Sequence, residues 1–196
     1  MEWPLSMAEI IAQTERLLLR NWDEADLDEF IRHTNTPAVM RWLGGVWSRE
    51  KHEAGFARIK GYERDYGHTL WLVERKSDGE ILGFCGLKRV NTEGAPNPGD
   101  FEVGWRLREG AWGRGYAKEA AIASLDLAFG HYGAPFVVAL TVMPNEASQG
   151  LMKRLGMTRR EDMDFPSTEG WADAEPIIVW RIDADEWPAA RAAALR

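Results

Sequence analysis

The chain reads as an α+β domain built on one mixed, mostly antiparallel sheet with flanking helices. Three features predict this. Short apolar runs bounded by turn residues recur along its length, as strands require. Segments with a 3.6-residue apolar period, long enough for helices, lie between them. A strand–helix–strand crossover, the connection that parallel pairing needs, fits at one place only, after Leu107. At 196 residues, 45% hydrophobic and 28% charged, a single domain over 1–196 is expected, with a core at 14–182 and a tail at 183–196.

Taken in order, Thr14-Glu-Arg-Leu-Leu-Leu-Arg20 is the first expected strand. Asp23 stands where a helix N-cap belongs, and Glu24, Asp26 and Asp28 complement the positive end of the helix dipole. Leu27, Phe30 and Ile31 form that helix's apolar face, and a second helix is expected over 48–65. Strands at 69–74 and 81–87 flank Lys76-Ser-Asp-Gly79, whose Asp-Gly pair signals a hairpin. The strand Phe101–Leu107 alternates, with Phe101, Val103, Trp105 and Leu107 on one face and Glu102, Gly104 and Arg106 on the other. A helix over 116–129 with Gly130 as its left-handed stop follows, then a strand at 136–143. Pro144-Asn145 opens a helix that Gly156 ends. Strands at 157–165 and 176–182 and a short helical tail complete the chain.

Composition removes several functions. The 24 basic and 31 acidic residues give a formal charge of −7, the wrong sign for broad nucleic-acid binding, which neutralises phosphates with lysine and arginine. One cysteine excludes an internal disulfide and a thiolate-rich zinc site, and Cys85, in an apolar strand, suits the core. His33, His52, His68 and His131 lack ligand spacing, so no metal is expected. No run of about 18 apolar residues suggests a membrane span, and no basic segment precedes an apolar one at the start; a cytoplasmic location is expected. The oligomeric state is left open, with a homodimer allowed.

Trp112-Gly-Arg-Gly-Tyr-Ala117, between a strand and a helix, can bind an anion, because glycines turn the backbone tightly and helix N–H groups converge there. It matches neither a P-loop nor a dinucleotide fingerprint: Gly110, Gly113 and Gly115 have the wrong spacing. A plain turn before a helix remains equally open on spacing alone.

The motif Gly113-Arg-Gly-Tyr-Ala-Lys-Glu-Ala120 after Phe101-Glu-Val-Gly-Trp-Arg-Leu107 resembles the acyl-CoA loop of the GCN5-related N-acetyltransferases (GNAT). Asn145-Glu-Ala-Ser148 followed by Leu155-Gly156-Met157 is similar to that family's next signature. The opening strand looks like the RimJ/RimL-like enzymes that acetylate ribosomal-protein N-termini. The resemblance spans about 14–182. It implies a GNAT fold whose strands Phe101–Leu107 and 136–143 splay apart to form the acyl-CoA cleft. It implies acetyl-CoA as co-substrate, no metal, and a primary amine as acceptor: a protein N-terminus or a small molecule. The acid-bearing tyrosine of many relatives falls on Met152, which has no proton to give.

Acetyl transfer from a thioester to an amine needs a neutral amine, although an α-amino group titrates near ~7.7–8.0 and a lysine near ~10.4. It also needs a donor for the developing oxyanion. By resemblance Glu102 is the base, directly or through water, against the plain alternative of a solvent-facing acid. Ser148 is the candidate acid or water-positioner, against that of an ordinary first-turn serine. Asn145 would hydrogen-bond the pantetheine arm and is a good N-cap in any case. The resemblance assigns the acyl-CoA to Trp105, Arg106, Leu107, Trp112, Gly113, Arg114, Gly115, Tyr116, Ala117 and Lys118. Trp105 N–H would be the oxyanion donor, with Arg108, Lys153 and Arg154 as further phosphate partners. Trp42 and Trp47 would line the acceptor cleft. The acids around 23–29 hint weakly at a cationic acceptor. A non-catalytic acyl-CoA-binding or sensing module, favoured by Met152, is the competing reading.

Overall fold

The computed structural model describes residues 8–166 and 176–196. Among these, eight strands form one sheet: β1 (Ile10–Gln13), β2 (Leu17–Arg20), β3 (Leu70–Arg75), β4 (Ile81–Arg89), β5 (Phe101–Leu107), β6 (Phe136–Val142), β7 (Thr158–Arg159) and β8 (Ile177–Asp183). Their order is β1-β2-β3-β4-β5-β6-β8-β7. Every pairing is antiparallel except β5–β6, which is parallel and rests on the single pair Glu102↔Val138. The helices are α1 (Asp26–Thr34), α2 (Arg49–Tyr66), α3 (Tyr116–Gly130), α4 (Glu146–Arg154) and α5 (Trp187–Ala194). None of the described helices is long and apolar enough to cross a membrane.

Strand alternation divides the core into two layers. Val103 and Leu107 join Leu125, Ala121 and Met152 beneath α3 and α4, with Trp187 of α5 at the rim. On the other face Phe30 of α1 and Ile59 of α2 pack with Trp22, Leu72 and Phe84. Trp22 meets Phe30 edge-on at 5.0 Å and Phe84 stacks on Phe30 at 5.7 Å, geometries that add to simple burial. Helix α2 starts as its sequence suggests: Ser48 is the N-cap, accepting from Lys51 N–H at 3.3 Å, and Gly67 closes the helix at φ 71°.

Four expectations fail locally. The first strand begins at Leu17, and Thr14 belongs to a turn after the unforeseen β1; the Thr14 hydroxyl accepts from Leu17 N–H at 2.9 Å. Asp23 is not the cap of α1, whose N-cap is Ala25; the Asp23 carboxylate accepts from Ala25 N–H at 2.9 Å, a turn-type bond one step early. Gly130 stays in α3, and the left-handed residue is Gly133, at φ 63°. The strand expected at 157–165 breaks after Arg159 into a 3-10 turn, Glu161–Met163. There the Asp164 carboxylate takes the Val179 N–H at 3.2 Å and Arg159 Nη1 at 2.7 Å, so a side chain replaces the ladder.

Candidate active site

The one parallel contact in the sheet is also where it opens. Arg108 N–H donates to the Leu82 carbonyl at 2.8 Å, toward β4. Backbone direction alternates along a strand, so the N–H groups of Leu107 and Trp105 point toward β6. Beyond Glu102↔Val138 no further β5–β6 pair forms, and those groups face the widening gap. The Leu107 carbonyl is taken by the Trp112 indole N–H at 2.8 Å, which leaves the Trp105 and Leu107 N–H groups as donors there. A cavity of about 1240 Å³ runs through this opening.

At one end of the cavity stands the glycine turn. Gly113 (φ 69°) and Gly115 (φ 80°) are left-handed, where a side chain would be strained. Gly115 is the N-cap of α3 and offers no side chain, so the first N–H groups of that helix lack a capping acceptor. The turn is held from behind. Glu119 in the first turn of α3 accepts from Arg16 N–H at 2.8 Å, Arg16 Nε at 2.7 Å and the Thr14 hydroxyl at 2.5 Å. Arg16 Nη1 also donates to the Arg114 carbonyl at 3.0 Å, and its guanidinium lies over the Tyr116 ring at 4.4 Å.

The expected cations distribute unevenly. Arg108 turns to Glu80, at 3.4 Å, and the Ile81 carbonyl. Lys118 donates to the Ala194 carbonyl at 2.7 Å, at the C-terminal end of α5. Lys118, Lys153 and Arg154 share a smaller hollow of about 340 Å³ with Arg196. Arg114 is exposed, and Trp112 is 50% exposed beside the cavity.

Glu102 also lines the cavity and is only 4% exposed, so it is not a solvent-facing acid. Lys88 is its direct partner across β4–β5, with Nζ at 2.5 Å. Burial pushes the Glu102 carboxyl above its usual range, and the Lys88 ammonium pulls it back in part. On the opposite wall Asn145 caps α4: its Oδ1 accepts from Ser148 N–H at 3.3 Å and its Nδ2 donates to Ser148 Oγ at 3.2 Å. Ser148 Oγ thus accepts from Asn145 and keeps its own proton to give. Met152, one turn further on, is 1% exposed.

Trp42 and Trp47 line the cavity as well. Asn35 clasps Trp47 through both backbone groups at 2.9 and 2.8 Å, and Trp47 Nε1 donates to the Leu43 carbonyl at 2.9 Å. Arg106 ends here too. Its side chain leaves β5 on the α1–α2 face, away from the glycine turn, and lies over Trp47 (4.9 Å), Phe84 (5.1 Å) and Phe30 (5.9 Å). Burial lowers its pKa to about 10. Its side chain thus lies on the face of β5 opposite Trp105 and Leu107.

Two neighbours that the sequence analysis passed over complete the site. Lys88 is visible only once β4 and β5 are in register. His52 was set aside for want of a ligand partner, yet it is 3% exposed in the cavity wall with Nε2 unpartnered. Burial, then the cations Arg106, Arg49 and Lys51, lower its pKa to about 4. The folded state thus binds the His52 proton less well than the unfolded chain, where it titrates near ~6.5. Stability is expected to fall from pH 6.5 toward 4, and His52→Phe should flatten that fall in urea titrations; an equal decline in both proteins would contradict it. Among the acids near 23–29, Asp26 pairs with Arg20, Asp28 with Arg49, and Glu29 with Arg32 and His33, while Asp23 and Glu24 are exposed and make no ion pair among the described residues. Among the described residues no group of three His, Cys, Asp or Glu is placed to hold a metal ion.

Comparison with known proteins places these features in company. Residues 16–158 match the family model described as an acetyltransferase (GNAT) domain. The Bacillus subtilis protein YkkB is 32% identical over 145 residues, 74% of this chain and 83% of that protein. The N-acetyltransferase YnaD of the same organism is 26% identical over 177 residues, 89% of this chain and 97% of that protein. The crystal structure of an acetyltransferase from Agrobacterium tumefaciens superposes with a TM-score of 0.73 at 27% identity, covering 87% of this chain and 92% of the other.

Proposed function

The chain belongs to the acetyltransferase (GNAT) domain family, and on that basis we propose that it is an acetyl-CoA-dependent N-acetyltransferase acting on a primary amine in a ternary complex. One observation carries the reading. A single cavity contains an uncapped helix N-terminus, a parted pair of strands with free N–H donors, and a buried carboxylate. The pyrophosphate of acetyl-CoA suits the N–H groups around Gly113–Ala117, as anions suit any helix start. The pantetheine amides suit the backbone of Trp105 and Leu107, and the thioester carbonyl would lie against Trp105 N–H, with Asn145 on the facing wall. Glu102, or a water it holds, accepts a proton from the amine as nitrogen attacks the carbonyl carbon. The C–S bond breaks, and the thiolate takes a proton from Ser148 or from water.

The acceptor is then either a small-molecule amine or a protein N-terminus, the latter being what a RimJ/RimL-like identity resting on the Thr14–Arg20 motif would imply. Trp42 and Trp47 then form part of the acceptor wall. Trp42→Ala is expected to raise the acceptor KM several-fold while leaving the acetyl-CoA KM within about twofold; equal changes in both would reduce Trp42 to packing.

The whole reading is tested by thiol release from acetyl-CoA over a panel of amines, alongside calorimetric binding of CoA. Acceptor-dependent release supports it. Tight CoA binding without release would favour a non-catalytic acyl-CoA sensor, the reading that Met152 at the usual tyrosine position favours. Absence of CoA binding would overturn both.

A further inference from the structure

We propose that the acceptor carries a carboxylate beside its amine, and that Arg106 receives that carboxylate. The inference rests on the N-acetyltransferase reading and narrows its substrate to amino-carboxylates, such as an amino acid or a small amino-acid derivative.

Arg106 is a charge without a counter-charge. Among the described residues Arg106 has no ion pair and no side-chain hydrogen bond, and its Nε is buried without a partner. Desolvating a guanidinium is costly, and proteins ordinarily offset the cost with a carboxylate or several carbonyls. The other deep arginine, Arg20, illustrates the norm, bonding Asp26 twice and Glu74 once, each at 2.8 Å. Around Arg106 stand the rings of Trp47, Phe84 and Phe30 instead. Rings hold a guanidinium by its flat face and leave its N–H edge free to make the paired bonds that a carboxylate accepts.

The remaining accessible surface of Arg106 opens into the same cavity as Glu102. The two residues share one face of β5, four positions apart, or about 13 Å along the strand before their side chains are counted. A ligand with its amine toward Glu102 and its anion toward Arg106 lies along that face. A second orphan sits close by: His52 Nε2 is buried and unpartnered, and its ring lies 5.4 Å from that of Trp47. A neutral imidazole can give one more hydrogen bond to the same anion. The charge balance favours an anion. Lys88 is already matched by Glu102, whereas Arg106 and two further arginines of the cavity wall, Arg41 and Arg58, have no ion pair among the described residues. The anionic balance of the whole chain pointed weakly to a cationic acceptor; the local balance points the other way.

The test uses matched acceptors, amino acids whose amine and carboxylate are separated by graded numbers of atoms and the corresponding amides, with wild type, Arg106→Met and Arg106→Lys. Wild type should favour the carboxylate member by about 30-fold or more in kcat/KM, the size of losing one buried charge partner. Arg106→Met should collapse that ratio to within about threefold, mainly through KM, and Arg106→Lys should recover only part of it. Acetyl-CoA affinity in each variant reports whether the fold survives. A wild type that prefers the amides, or a ratio unmoved in Arg106→Met, overturns the proposal. If no amine is acetylated although CoA binds, the N-acetyltransferase reading fails separately. The same acceptor pairs are then read as thermal shifts in the presence of CoA. A shift by the carboxylates in wild type alone sustains the Arg106 site, and its absence removes it.

Discussion

Glu102→Gln is expected to lower kcat by about 10²- to 10⁴-fold, the usual contribution of a positioned general base. Gln keeps the shape of the side chain but cannot take a proton, so acetyl-CoA affinity should remain within a few-fold of wild type. The pH profile separates this role from packing. Glu102 works when ionised; burial opposes ionisation and Lys88, at 2.5 Å, favours it. In wild type, activity should therefore fall as pH drops through a carboxyl pKa above the ordinary range. Lys88→Met leaves desolvation unopposed, so the acid limb should move to higher pH, and in Glu102→Gln that limb should vanish. Unchanged turnover of the Gln variant at saturating acceptor would end Glu102's candidacy.

Asp26→Ala should cost about 3–5 kcal/mol of stability, because it strands a buried cation. Arg20 is 5% and Asp26 7% exposed, and the fork of Arg20 meets both oxygens of Asp26 at 2.8 Å. Asp26 also accepts Asp23 N–H at 2.7 Å, which fixes the entry to α1. With Asp26 gone, Arg20 keeps Glu74, at 2.8 Å on its other edge, and the Asn21 carbonyl, at 3.2 Å. Replacing both partners, Arg20→Met with Asp26→Leu, should restore much of the loss, since two well-packed apolar groups carry no desolvation cost. Urea midpoints at unchanged m-value read both effects. A loss under about 1 kcal/mol in the single variant would show that water reaches the pair.

The strands and α2 could be read from local pattern because each is decided by residues close in sequence. Ser48, for example, needs only Lys51 three positions on. β1 could not. Ile10–Gln13 is a four-residue edge strand with a half-exposed burial pattern, and the turn after it is held by Glu119, a residue of another helix. A glycine inside a strand, such as Gly104, commonly marks a bulge, yet the β4–β5 register runs without a shift through it. The close approach belongs to other glycines. A Cβ at Gly83 would stand 2.0 Å from the Arg106 carbonyl, and one at Gly86 2.2 Å from that of Thr69. Such crowding is set by the partner strand and leaves no mark in the local sequence.

The site divides in the same way. The family motif pointed to Glu102 and Asn145, but Lys88 waited on strand register. Arg106 is the instructive case. Its parity with Glu102, opposite Trp105 and Leu107, was present in the alternation of β5 and already placed its side chain on the face away from theirs.

The clasp of Glu119 on Arg16 spans 103 residues of chain. It makes the native shape of the glycine turn depend on the loop between β1 and β2, far away in the chain. Amide hydrogens at 113–117 should therefore exchange with solvent no more slowly than those of the β1–β2 hairpin. Trimming that hairpin should loosen a turn more than ninety residues away.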